Sequence, residues 1–221
     1  MPRLSEQTRA TRRRHILTSA WACFSRNGFQ ATSMDEVIAA TGMSSSAVYR
    51  YFRGKDELID ATAEEGLAHV RNIFTRALAE RPTPTPADLL GILVSDLRQR
   101  SEQPDFDMTR IAIQSWAEAL RRPKLQARTR ALYREAREEL VTLTTRWQQE
   151  GYLSPDANPR ATAVVLFTLM PGLLVGRHLV DSVSRDDLIR GIASLAEALA
   201  SRTVTTRKRS PRAPDVARTC P

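Results

Sequence analysis

The chain is predicted to be all-α, and three observations lead there. Apolar residues recur at helical spacing along nearly the whole of its 221 residues. The breaks between these runs carry helix-start signals, either a capping pair or a cap followed by proline. The stretch from Thr32 to Lys55 reads as short helices separated by a tight turn. Together they predict an N-terminal three-helix helix-turn-helix domain followed by a larger helical domain, with about nine helices in all. The composition, 42% apolar and 26% charged, suits a soluble globular protein.

Helix 1 is expected from about Thr11 to Asn27, with Ile16, Leu17, Ala20, Cys23 and Phe24 on its apolar side and Gly28 as its stop. Helix 2 begins at Thr32 or Ser33, because Thr32 with Asp35 and Ser33 with Glu36 both have the spacing of a capping box. It ends at Gly42, a residue type that tolerates the left-handed conformation past a helix terminus. Ser44 then caps helix 3, which runs through Ala47, Val48 and Tyr49 to about Phe52. Val37, Ile38, Met43, Val48 and Phe52 would lock helices 2 and 3 together, leaving Ser45, Ser46, Tyr49 and Arg50 facing outward. A short helix presenting small polar and basic groups fits the major groove of DNA.

Helix 4 is expected from Lys55 to about Glu80, long enough to reach from the first domain into the second. Arg81 to Pro86 breaks the chain, and Thr85, Pro86 and Asp88 restart it as helix 5. Phe106, Met108, Ile111, Ile113 and Trp116 populate helix 6, and Pro123 opens helix 7, which runs to Gly151. Asn158 and Pro159 start helix 8, apolar on nearly every side from Ala161 to Val175. Its uncharged run is short of the roughly 20 residues that span a bilayer, so it reads as a buried helix. Ser184 with Asp187 caps helix 9, which carries the stripe Leu188, Ile189, Ile192, Leu195 and Leu199. No fixed structure is expected beyond Ser201.

The formal charge of +8 is concentrated at the ends: residues 1–14 carry +4 and residues 202–221 carry +5, leaving the body near neutral. These segments read as basic arms able to find phosphate, or as solvated tails. Cys23 falls among core positions and Cys220 in the tail, so no disulfide framework exists and a cytoplasmic location is expected. His15, His69 and His178 lack metal-ligand spacing, and no nucleophile paired with a base or glycine-rich phosphate loop is visible. Neither a cofactor, a metal site nor an enzymatic activity is expected.

Ile16 to Phe24, then Arg26-Asn-Gly28-Phe29 and Ala31-Thr32, resembles the first helix and following turn of the TetR family of transcriptional regulators. Tyr49-Arg-Tyr51-Phe52-Arg-Gly-Lys55-Asp-Glu57-Leu58 resembles that family's junction with helix 4. The resemblance covers about residues 14 to 60, and Trp116 to Leu120 before Pro123 adds a weaker likeness further on. One departure is Ser46, where the family often has glycine. The resemblance implies a basic arm at 1–13, a DNA-binding domain at 14–58 with its motif at 33–52, a ligand-binding and dimerisation domain at 59–201, and a basic tail at 202–221. It implies DNA contacts by Thr32, Ser44, Ser45, Ser46, Ala47, Tyr49, Arg50, Tyr51 and Lys55. It further implies a hydrophobic small-molecule effector among Phe106, Met108, Ile113, Trp116, Tyr133, Trp147, Phe167 and Met170. Helices 8 and 9 would pair with a second copy through Val165, Leu169, Leu173, Leu188, Ile192 and Leu195. The expected function is a homodimeric repressor released from an inverted-repeat operator by its effector. The alternative is an architectural DNA-binding protein of low sequence preference.

Overall fold

A computed structural model describes residues 5–180 and 184–207. Among them are nine helices and no strand: α1 (Glu6–Ala31), α2 (Met34–Thr41), α3 (Ser45–Tyr49), α4 (Lys55–Ala79), α5 (Pro86–Ser101), α6 (Met108–Arg121), α7 (Pro123–Gln149), α8 (Pro159–Leu179) and α9 (Arg185–Arg207). They form two compact units, Met1–Val183 and Ser184–Pro221.

In the first unit the local signals act where they are written. Ser33 forms a full capping box with Glu36, and Thr85 forms one with Asp88, with Pro86 in the first turn of α5. Of the two candidate caps for α2, Ser33 is therefore the one used. Gly42 ends α2 at φ 64°, the left-handed region in which a Cβ would be strained. Gly28, at φ 82°, breaks the helical backbone inside α1 and folds Phe29 edge-on against Phe24 at 4.8 Å.

α1 starts five residues earlier than expected, with Ser5 as its cap. Arg9, Arg12, Arg13 and Arg14 therefore lie on a helix rather than on a loose arm. The Arg13 guanidinium stands 5.0 Å from the centre of the Phe52 ring, and Arg14 stands 4.8 Å from Trp21. α3 is shorter than expected, because the chain turns after Tyr49 to bury Phe52. The end of α9 also differs, since helix continues past Ser201 to Arg207; residues 208–221 lie outside the described residues.

One core runs through the N-terminal helices and beyond them. Ile16, Leu17, Trp21, Phe24, Phe29, Val37, Val48 and Phe52 pack in a single cluster with Leu58 and Ile59 of α4 and with Met108 and Ile111 around the start of α6. The boundary expected at residue 58 thus falls inside a continuous core, and the N-terminal helices take part of their apolar cover from α6. α4 spans roughly 38 Å over its 25 residues and packs on α1, α6 and α7.

α8 differs from the buried helix expected. Ala163, Leu166 and Leu173 are buried, whereas Val164 and Val165 are exposed. At 21 residues it is long and apolar enough to cross a bilayer by length and composition. In the second unit α9 follows its cap, the Ser184 hydroxyl accepting from the Asp187 N–H at 3.1 Å. Its stripe residues Ile192 and Leu195 are exposed.

Candidate nucleic-acid interface and inner cavity

The tip of the N-terminal helices is α3. Val48 at 0% exposure and Phe52 at 1% anchor it, which leaves Ser44, Ser45, Ser46, Tyr49 and Arg50 exposed, with Ala47 half-buried among them. Ser44 uses no side-chain cap bond; its hydroxyl meets only that of Ser46, at 3.3 Å. The hydroxyls and the first amides of α3 face solvent together with one guanidinium, a set able to meet phosphate oxygens and base edges.

Three residues expected in this set are placed differently. Thr32 is 1% exposed and its hydroxyl donates to the carbonyl of Gly28 at 2.8 Å, so it braces the turn from inside. Tyr51 is half-buried against the core. The Lys55 ammonium donates to the Gln30 carbonyl at 3.1 Å, tying the start of α4 to the end of α1 while keeping further donors.

Behind this tip, α4, α5, α6, α7 and α8 enclose a cavity of about 130 Å³. Met108, Trp116, Tyr133, Phe167 and Met170 line it, five of the eight aromatic and apolar residues expected there. The other three do not. Trp147 is wholly buried and its indole N–H donates to the Pro84 carbonyl at 2.7 Å. Phe106 packs edge-on against Trp21 at 5.3 Å, in the wall of a separate outer pocket. Ile113 is half-buried outside the cavity lining. Leu173, expected at an interface between copies, is 8% exposed and lines the cavity instead, because it faces inward from α8. Val165 and Leu169, from the same helix, are exposed and half-buried.

The polar part of the lining was missed. His69 of α4 donates to Asp96 of α5 at 2.8 Å, and Arg100 stands one turn beyond Asp96. A signal existed: Asp96 and Arg100 share the apolar side of α5 with Leu93 and Leu97, at spacings of three and four residues, where solvated charges do not belong. Burial holds the Arg100 guanidinium below its ordinary pKa, with Asp96 and Glu65 pulling it back up. Burial pushes the Tyr133 phenol up, opposed by the N–H that Trp116 donates to its oxygen at 2.5 Å.

α6 connects the cavity to the tip. Met108, Ile111, Ser115 and Trp116 face the cavity, and an adjoining stripe grips the end of α1. The Phe29 N–H donates to the Gln114 side chain at 2.7 Å, and Gln30 donates to the buried Glu118 at 2.7 Å. Just past the helix, Arg122 pairs with Asp60 of α4 at 3.0 Å. Among the described residues, no three His, Cys, Asp or Glu side chains stand close enough to hold a metal ion.

Comparison with known proteins fits this arrangement. Residues 16–62 match the family described as bacterial regulatory proteins, tetR family, and residues 86–202 match BetI-type transcriptional repressor, C-terminal. The HTH-type transcriptional repressor Rv1474c of Mycobacterium tuberculosis is 32% identical over 113 residues, which is 51% of this chain and 54% of that relative, so the chain spans about half of its length. The HTH-type transcriptional regulator UidR of Escherichia coli is 26% identical over 90% of this chain and 94% of its own. Among solved structures, SmeT, described as the repressor of a Stenotrophomonas maltophilia multidrug efflux pump, is similar in its triclosan complex, with a TM-score of 0.62, 24% identity, and coverage of 86% of this chain and 91% of that one. At that identity the likeness shows the fold.

Proposed function

Since the chain belongs to the tetR family of bacterial regulatory proteins, and is therefore a helix-turn-helix DNA-binding transcriptional regulator, we propose that it is a cytoplasmic homodimeric repressor that a hydrophobic effector releases from an inverted-repeat operator. In this reading Ser45, Ser46, Ala47 and Arg50 discriminate bases, while Ser44, Tyr49 and Lys55 meet phosphates. Two heads related by a twofold axis would enter major grooves about 34 Å apart or somewhat more. No catalysis or cofactor enters the reading.

The observation that carries the proposal is α6, which lines the cavity with one stripe and holds the end of α1 with the next. A ligand that prefers a different placement of α6 or α4 would alter the tip through those bonds. Release requires that the effector bind the released form more tightly than the operator-bound form. SmeT, a solved structure of similar fold, is a complex with the small molecule triclosan, which supports a small-molecule ligand for this fold.

The exposed side of α8, Val164 and Val165 with Leu169, and separately Leu188, Ile192 and Leu195 of α9, are proposed contacts with a second copy. Val165→Glu would place a charge there and is expected to give a monomer by sedimentation. A dimer unchanged by it would remove that surface from the reading.

The deciding experiment is selection of bound sequences from a random duplex pool at about 150 mM salt, where nonspecific phosphate attraction is screened. An enriched inverted repeat is expected. Arg50→Ala should weaken binding to it by about 5- to 150-fold, the range of one good base contact, with the fold unchanged. Retention of random duplex without enrichment would favour the architectural alternative.

A further inference from the structure

Resting on the reading of the cavity as an effector site, we propose that the effector is an apolar monoanion, an acid carried on a hydrocarbon or aryl body, whose acid group is held by Arg100.

The hydrogen-bond inventory of the lining points there. Most of the wall is apolar, so the body of the ligand must be apolar as well. The carboxylates near Arg100 are engaged: Asp96 accepts from His69 at 2.8 Å, and Glu65 is paired with Arg14. The Ser115 and Thr129 hydroxyls donate to the backbone carbonyls of Ile111 and Leu125, both at 2.9 Å. Arg100 is half-buried, and among the described residues it has no hydrogen-bond acceptor and no carboxylate at ion-pair distance.

A guanidinium that is partly desolvated, and that has no acceptor from the protein, keeps donors that a ligand can use. The two oxygens of a carboxylate match its planar fork. A cation would meet Arg100 as a like charge, and one oxygen of each nearby carboxylate is already paired, Asp96 with His69 and Glu65 with Arg14. A neutral body would leave the guanidinium with Asp96 and Glu65 nearby but no anion at hydrogen-bond distance.

Two further observations agree. Tyr133, which lines the cavity, accepts from Trp116, and its own hydroxyl proton has no acceptor among the described residues. The lining therefore offers an unused donor at a second place. Arg100, His69 and Met108 also line the outer pocket, where Arg14 of α1 pairs with Glu65 of α4. An acid at Arg100 would lie in the wall between the cavity and an ion pair that joins α1 to α4.

The test uses the full chain and four probes with one body: octanoate, octanamide, octan-1-ol and octylammonium. Binding is followed by calorimetry, and release of the selected operator is followed separately by gel shift. Octanoate is expected to bind at least 10-fold more tightly than the amide or alcohol, with octylammonium weakest. Arg100→Gln should erase that order while leaving alcohol binding and the melting temperature unchanged. Arg100→Lys, which keeps the charge but not the fork, should retain part of it. Equal binding of all four probes, a preference for the ammonium, no saturable binding of octanoate, or an order that survives Arg100→Gln overturns the proposal. The two readings separate cleanly. Release by the alcohol but not the acid keeps the effector reading and removes the acid, whereas tight acid binding without release keeps the acid class and removes ligand release.

Discussion

In the N-terminal helices the large rings are closed in: Phe24 is 0% exposed, Phe52 1%, and Trp21 and Phe29 3% each. Around the cavity Trp116, Tyr133 and Phe167 are only half-buried, and they border empty space. The difference has a physical meaning. A tip that must match a rigid duplex needs one shape, and close packing provides it. In the proposed reading, a wall that accepts a guest has neighbours on one side only and can move at lower cost.

The sharpest way to break this contrast is to truncate one ring in each region. Phe24→Ala should cost about 3–5 kcal/mol in urea denaturation, because a filled position becomes a cavity inside a close-packed cluster. Trp116→Ala should cost about 1 kcal/mol or less, since its ring already borders a void, while abolishing the effector response. It also removes the N–H that Tyr133 accepts. Equal losses of stability would mean that the cavity wall is as tightly determined as the tip.

A second change tests the joint between the regions. Gln114→Ala leaves the Phe29 N–H without its acceptor beside the core, which should cost about 1–3 kcal/mol. Ligand binding in calorimetry should persist, because Gln114 does not line the cavity, but the effector should release the operator less completely. Undiminished release would show that coupling bypasses α6 and runs through α4 alone.

The same contrast explains what was legible in the chain. Gly42, Ser33 with Glu36, Thr85 with Pro86, and Asn158 with Pro159 act within a few residues of themselves, so the helices and the outward set Ser45, Ser46, Tyr49 and Arg50 could be read directly. Thr32 could not: whether its hydroxyl points out to phosphate or in to Gly28 depends on how Gly28 bends the backbone behind it. Trp147 and Trp116 look alike as apolar positions on helices, yet Trp147 finds the carbonyl of Pro84, from a distant loop, and becomes core. Leu173 and Leu169 lie one turn apart on a helix that is apolar all round, so only packing decides that Leu173 faces the cavity. Asp96 and Arg100 are legible only against the helix period, as charges standing on the apolar side of α5 beside Leu93 and Leu97.

The smallest expected effect lies in the tip and is visible through pH. Glu36 is held below the usual carboxylate range, first by the bond it accepts from the Ser33 backbone N–H at 2.7 Å and then by the Ser33 hydroxyl at 3.1 Å. A carboxylate whose folded pKa is depressed adds stability that is fully present above its unfolded value, near 4.5, and is lost as pH falls through the lower folded value. Ser33→Ala removes the hydroxyl but keeps the backbone donor. It should lower Tm by roughly 2–4 °C near neutral pH, the usual scale for one lost cap in a chain of this size. It should also flatten, without abolishing, the fall in Tm below that pH. Tyr133 on the cavity side is shifted the other way, upward by burial, so its titration lies in the alkaline range and leaves this acid window untouched. A melting series in acid that is identical for Ser33→Ala and the parent chain would mean that the capping box holds α2 through its backbone bond alone, and that the closure of the tip is due to packing rather than to its caps.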